Sequence, residues 1–199
     1  GDIETDIADV AFEGQYDLVL VGLGKSIFEG TILGKVLGFT SRFINPDRLL
    51  DKFTGKEGLF ENSPFDERTR LIISKTKTPL GILIDKDLKK VDNVTIPIMS
   101  IGDAFLFDYA ERLIFNNNTK VTIVENSSQR KNNFIIENAV AGLKLKYANN
   151  LQLVDYEKLN KPFLEKQDLV LVSLESWKNL VNEEETWLSD IPSALIVKS

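Results

Sequence analysis

Tyr16-Asp17-Leu18-Val19-Leu20-Val21-Gly22 is the stretch that decides the fold class. Four consecutive apolar residues stand between an aspartate and a glycine. A strand covered on one face alternates apolar and polar residues, so an unbroken apolar run reads as a strand buried on both faces. Such strands belong to parallel sheets clothed by helices on both sides. From Ser26 to Leu37 the spacing becomes helical, with Ile27, Leu33 and Val36 on one side.

The alternation continues downstream. Strands are expected at Leu80 to Ile84, Val94 to Met99, Lys120 to Val124, Leu151 to Val154, Leu169 to Val172 and Ala194 to Val197. Between them, helical faces are carried by Phe105, Leu106, Tyr109, Ala110 and Leu113, and by Ile135, Ile136, Ala139, Val140 and Leu143. Tyr156 to Leu164 reads as short helix or irregular chain, and Trp177 to Trp187 as helix. A helix is also expected from Ile3 to Phe12. Residues 39–66, with Pro46, Gly55, Gly58 and Pro64, read as a long irregular loop, followed by a helix from about Ser63-Pro64 to Lys75. Strands and helices in this order imply βαβ units, right-handed crossovers and an α/β fold with a parallel sheet.

A weak internal repeat is present. Gln15-Tyr16-Asp17-Leu18-Val19-Leu20-Val21 matches Lys166-Gln167-Asp168-Leu169-Val170-Leu171-Val172. Each is followed by a helical stretch and then by a strand after a proline, Thr78-Pro79-Leu80 and Ile191-Pro192-Ser193. The expectation is a duplicated half-unit in which both strands and the helices after them superpose.

Composition narrows the chemistry. The 199 residues contain no Cys and no His, which excludes disulfides, thiolate or imidazole zinc ligation, and Ser–His or Cys–His nucleophiles. A net charge of −6 argues against a phosphate backbone as partner, so no nucleic acid is expected. The short basic clusters, Lys86, Lys89 and Lys90, then Arg130 and Lys131, sit among carboxylates and read as solvated faces. No run of about 18 apolar residues is present to span a membrane. A leading Gly without Met reads as a residue left by a tag, so a piece of a longer polypeptide is expected.

The candidate ligand site is the turn Gly22, Gly24, Lys25 and Ser26, where backbone N–H groups after a strand could hold a nucleotide or other anion. It meets neither standard phosphate motif. A P-loop needs Gly at Val19, and a dinucleotide fingerprint needs Gly at Ile27. The other reading is a structural glycine turn. Ser173-Leu174-Glu175-Ser176 has no glycine and is a poor phosphate loop. Asp103 is expected as a helix N-cap. Glu183-Glu184-Glu185 reads as a solvated helix end, and Trp177 and Trp187 as core. No metal site, no catalytic residues and no cofactor are expected, and no enzyme activity.

Residues 17–22 and 75–84 resemble the back half of a universal stress protein, and 94–198 resemble the whole of that fold. Read together, Tyr16 to Gly22, Thr78-Pro79-Leu80-Gly81-Ile82-Leu83-Ile84-Asp85 and Ile101-Gly102-Asp103-Ala104 are similar to the cytoplasmic tails of bacterial monovalent cation/proton antiporters, sodium/proton or potassium/proton exchangers. The resemblance implies Rossmann-like, universal-stress-protein-like units, one partial (1–90, with the 39–66 loop) and one complete (91–199). It implies a regulatory or scaffolding domain at the cytoplasmic face of the inner membrane. The partners would be an upstream transmembrane transport domain of the same polypeptide and, by analogy, a second copy in a homodimer. The alternatives are a stand-alone, soluble nucleotide-binding universal stress protein, or an enzyme of a doubly wound α/β class.

Overall fold

The buried run is a strand with both faces covered. In the computed structural model, which describes residues 16–23, 29–44, 73, 77–126 and 133–199, it forms β1 (Leu18–Leu23). Leu18 and Leu20 join the core on one face of the sheet, Val19 and Val21 the core on the other, and all four are fully buried. Burial of each such side chain contributes about 1.5–3 kcal/mol. The helix expected from Ile3 to Phe12 lies outside the described residues. So do residues 45–72, apart from which only helical Ile73 is described of the segment expected to end near Lys75.

The remaining strands are β2 (Ser41–Ile44), β3 (Leu80–Ile84), β4 (Asn93–Ile98), β5 (Lys120–Glu125), β6 (Leu151–Asp155), β7 (Leu169–Ser173) and β8 (Ser193–Lys198). The helices are α1 (Glu29–Leu37), α2 (Leu106–Asn117), α3 (Phe134–Lys146), α4 (Lys161–Leu164) and α5 (Leu174–Asn182), with 3₁₀ turns at Ile101–Asp103, Tyr156–Lys158 and Thr186–Asp190. The strands form one eight-stranded sheet in the order β2-β1-β3-β8-β7-β4-β5-β6. Every pair is parallel except β3 with β8, which is antiparallel. The fold is α/β, as expected, but the sheet is mostly rather than wholly parallel.

Read from β4 onward, the order β6-β5-β4-β7-β8 is that of a doubly wound unit, 3-2-1-4-5. Leu106, Leu113, Val140 and Leu143 place α2 and α3 on one face, together with Leu33 and Leu37 of α1. Leu164, Trp177 and Leu180 place α4 and α5 on the other. Right-handed crossovers require this split, because the chain moves outward from β4 in one direction and later in the opposite one.

Residues 41–44 correct the expected irregular loop, since they form edge strand β2. Only four residues pair, and Ser41, Arg42 and Phe43 stay half-buried, so no apolar run announces them. The expected duplication holds for the strands. Val19 pairs with Leu80 as Val170 pairs with Ala194, and Val21 with Ile82 as Val172 with Ile196. The prolines fall one residue apart in this register. It fails for the helices: α1 runs from β1 toward β2 on one face, whereas α5 runs from β7 toward β8 on the other.

Candidate functional site

In a doubly wound sheet, ligands bind beyond the carboxyl ends of the strands where successive connections leave to opposite faces. β4 is such a point, with β5 on one side and β7 on the other. Ser100 follows β4 with extended backbone and opens the 3₁₀ turn, and Asp103 closes that turn. Asp103 is therefore not the N-cap expected of it. Its carboxylate reaches back instead, accepting from the N–H of Met99 at 2.7 Å and of Ser100 at 3.1 Å.

The same carboxylate crosses to β7. Ser173, the last residue of β7, is the N-cap of α5, and its Oγ accepts from the Ser176 N–H at 3.1 Å. The Ser173 hydroxyl donates to Asp103 Oδ1. The Ser176 hydroxyl lies 2.9 and 2.8 Å from the two carboxylate oxygens. All three side chains are buried, Asp103 to 1% exposure. The two hydroxyls at the start of α5 are thus turned to a carboxylate of the protein itself.

Among the described residues, Ser100, Ile101, Glu125 and Asn133 line a cleft of about 50 Å³ between the ends of β4 and β5. A wider groove of about 500 Å³ runs beside edge strand β6, along Val154, Asp155, Phe163 and Lys166.

A second reversal occurs at β1, flanked by β2 and β3. α1 lies on one face, and Ile73 packs against the core of the other. The candidate anion turn belongs to this end. Of its residues Gly22 is described, while Gly24, Lys25 and Ser26 lie outside the described residues. Gly22 is inside β1 rather than in the turn, and a Cβ there would run into the Phe43 ring of β2. Absence of a side chain at 22 leaves room for the Phe43 ring in its present position.

The other expected sites resolve as follows. Among the described residues no three potential ligands gather around a metal position. Glu183 and Glu184 are exposed just past the end of α5. Trp177 and Trp187 are both buried; the Trp187 indole donates to the Tyr156 hydroxyl at 2.9 Å, while the Trp177 Nε1 has no hydrogen-bond partner among the described residues. Lys89 pairs with Asp87 at 3.2 Å and Lys90 with Asp92 at 3.5 Å, so the cluster is a neutralised, solvated surface. Lys86 donates to the Ile191 carbonyl at 2.9 Å.

Sequence reading missed the joining of Asp103 to Ser173 and Ser176. The local signal was present, since Ser-x-x-Ser before an apolar stretch is a helix start. The partner lies about 70 residues away, which no local spacing reports.

Two tyrosines have raised hydroxyls. Burial, reinforced by Asp108 and opposed by Arg112, pushes Tyr109 up to about 12. Burial also raises Tyr156, with the Trp187 N–H opposing and Glu185 adding to the rise. Tyr109 packs edge-on to Phe39 and Phe105, and Arg112 stacks 4.1 Å over the Phe39 ring, which ties the end of α1 to α2.

No protein-family model and no curated protein matches the chain. Solved structures with a similar course do exist. The cytoplasmic domain of a prokaryotic cation chloride cotransporter is 15% identical, with 90% of this chain and 83% of that one covered at a TM-score of 0.48. A putative universal stress protein from Pseudomonas aeruginosa is 10% identical, covering 90% and 81% at 0.42. A universal stress protein from Archaeoglobus fulgidus is 8% identical, covering 90% and 95% at 0.43. The chain is an α/β protein with an eight-stranded, mostly parallel sheet, and its solved neighbours include universal stress proteins.

Proposed function

We propose that this chain is a non-catalytic regulatory domain of a membrane cation transporter, in the finer reading a monovalent cation/proton antiporter, working at the cytoplasmic face of the membrane. One observation carries the non-catalytic part. At the end of β4, where this architecture takes its ligands, the Asp103 carboxylate is engaged by the hydroxyls of Ser173 and Ser176. A domain without substrate acts by presenting surfaces whose contacts differ between two states of its partner. The antiporter part rests on the sequence likeness of residues 16–22, 78–85 and 101–104. By the same likeness, the partner would be a transmembrane transport domain on the same polypeptide; no helix among the described residues is long and apolar enough to cross a membrane.

Immunoblotting of membrane and soluble fractions from the source cell tests this reading. The expected result is a membrane band well above 22.4 kDa. A band near 22.4 kDa confined to the soluble fraction would overturn it.

A further inference from the structure

The outer face of α3 is the feature that the fold leaves unexplained. Its inner face is ordinary: Ile136, Val140 and Leu143 are buried against the sheet and α2. A surface helix should be polar on the opposite side. Instead, Phe134 is 74% exposed, Ile135 54% and Leu145 89%. Phe134, Asn138, Ala141 and Leu145 follow one another at spacings of a single helix stripe, with Gly142 beside them. A Cβ at Gly142 would meet nothing within 4 Å, so this glycine serves no packing purpose within the chain. Large apolar side chains thus stand uncovered at both ends of this outer face, the mark of an interaction surface.

We infer that the outer face of α3 pairs with the same face of a second copy of this chain, the two helices lying antiparallel across a two-fold axis. The pattern of charge selects this occupant. Glu137 and Lys144 border the stripe on one side, seven residues apart and both exposed, and neither has an ion-pair partner among the described residues. They stand equally far from a point between Val140 and Ala141. A two-fold axis through that point sets Glu137 of each copy against Lys144 of the other. It also brings Ile135 within one residue of the other copy's Leu145. A self-complementary patch of this kind is what an isologous interface requires. Small residues lie at its centre, where Ala141 and Gly142 permit close approach of the helices, and large apolar ones at its ends.

The antiparallel strand pairing of β3 with β8 lies inside one chain, so sheet extension there is already used and the helix face is a separate surface. Helices of this length, about 20 Å, bury less than the 1,200–2,000 Å² typical of a stable complex, so the dimer is weak and depends on concentration. The inference does not rest on the transporter reading.

Sedimentation velocity of the 199-residue chain from micromolar to millimolar concentration tests it. A monomer–dimer equilibrium is expected. Gly142→Arg replaces a solvent-facing helical glycine by a better helix former, so the fold is retained or stabilised. Dimerisation should nonetheless weaken tenfold or more, because the new side chain blocks the close approach. Glu137→Lys and Lys144→Glu should each weaken the dimer, and the two combined should restore it, since the swap regenerates the cross-pair. A chain monomeric throughout, a dimer indifferent to Gly142→Arg, or a charge swap without rescue would overturn the inference.

Discussion

Asp103 is the residue on which most of the site depends. Its carboxylate accepts from two backbone N–H groups and two hydroxyls, in a place closed to water. Removal strands those donors, and each buried unsatisfied donor costs about 1–3 kcal/mol. Asp103→Ala should therefore lower unfolding free energy by about 3–5 kcal/mol, and Ser176→Ala by about 1–2 kcal/mol, in urea titrations followed by tryptophan fluorescence. A carboxylate kept for ligand binding would instead be removable at little cost. Tyr109 gives a second test at this scale. Its hydroxyl ionises near 10 in the unfolded chain and near 12 in the folded one. Between those values the unfolded state holds fewer protons, so the Tyr109 contribution is intact below pH 10 and is lost as pH rises toward 12. Tyr109→Phe should flatten that alkaline loss of stability, read as midpoint against pH.

The strands carry the repeat, and two aspartates explain how. Asp168 Oδ2 accepts from the N–H of Asp92 and of Asn93, both at 2.9 Å, where β4 begins beside β7. Asp17 Oδ2 accepts from the Thr40 N–H at 3.1 Å and its hydroxyl at 2.9 Å, where β2 begins beside β1. In each case the aspartate before a buried strand pins the start of its parallel neighbour. Asp168→Ala should cost about 1–2 kcal/mol, and Asp17→Ala less, because Asp17 is the more exposed. Equal or absent effects in denaturant titrations would show that the aspartates do not set the register. The elements themselves were largely legible. A four-residue apolar run such as 18–21 or 169–172 can be satisfied only by burial on both faces, and the alternating helical spacings follow from that. β2 was not legible, because it is short, its Ser41, Arg42 and Phe43 are half-exposed, and it takes its strand hydrogen bonds from β1. The face taken by α1 was not legible either. It depends on which side of β1 the next strand lies, and that is a property of the whole sheet. For the same reason Asp103 looked like a local cap while its hydroxyl partners lay far along the chain.

At the scale of the molecule, one continuous sheet joins two points at which connections reverse, at β1 and at β4, with β3 and β8 meeting antiparallel between them. The strands on the two sides of that pair run in opposite directions, so the two crevices open toward opposite edges of the sheet. At the end of β4 the Asp103 carboxylate is engaged by Ser173 and Ser176, and at β1 the Phe43 ring lies against Gly22. On the proposed reading, such a sheet positions surfaces rather than a reacting ligand. Isothermal titration of the chain with magnesium-ATP into the millimolar range tests that claim most directly. The proposed role predicts no saturable heat. Saturable binding abolished by Ser176→Leu, in a variant that remains folded, would show the β4 crevice to be a ligand site and contradict it.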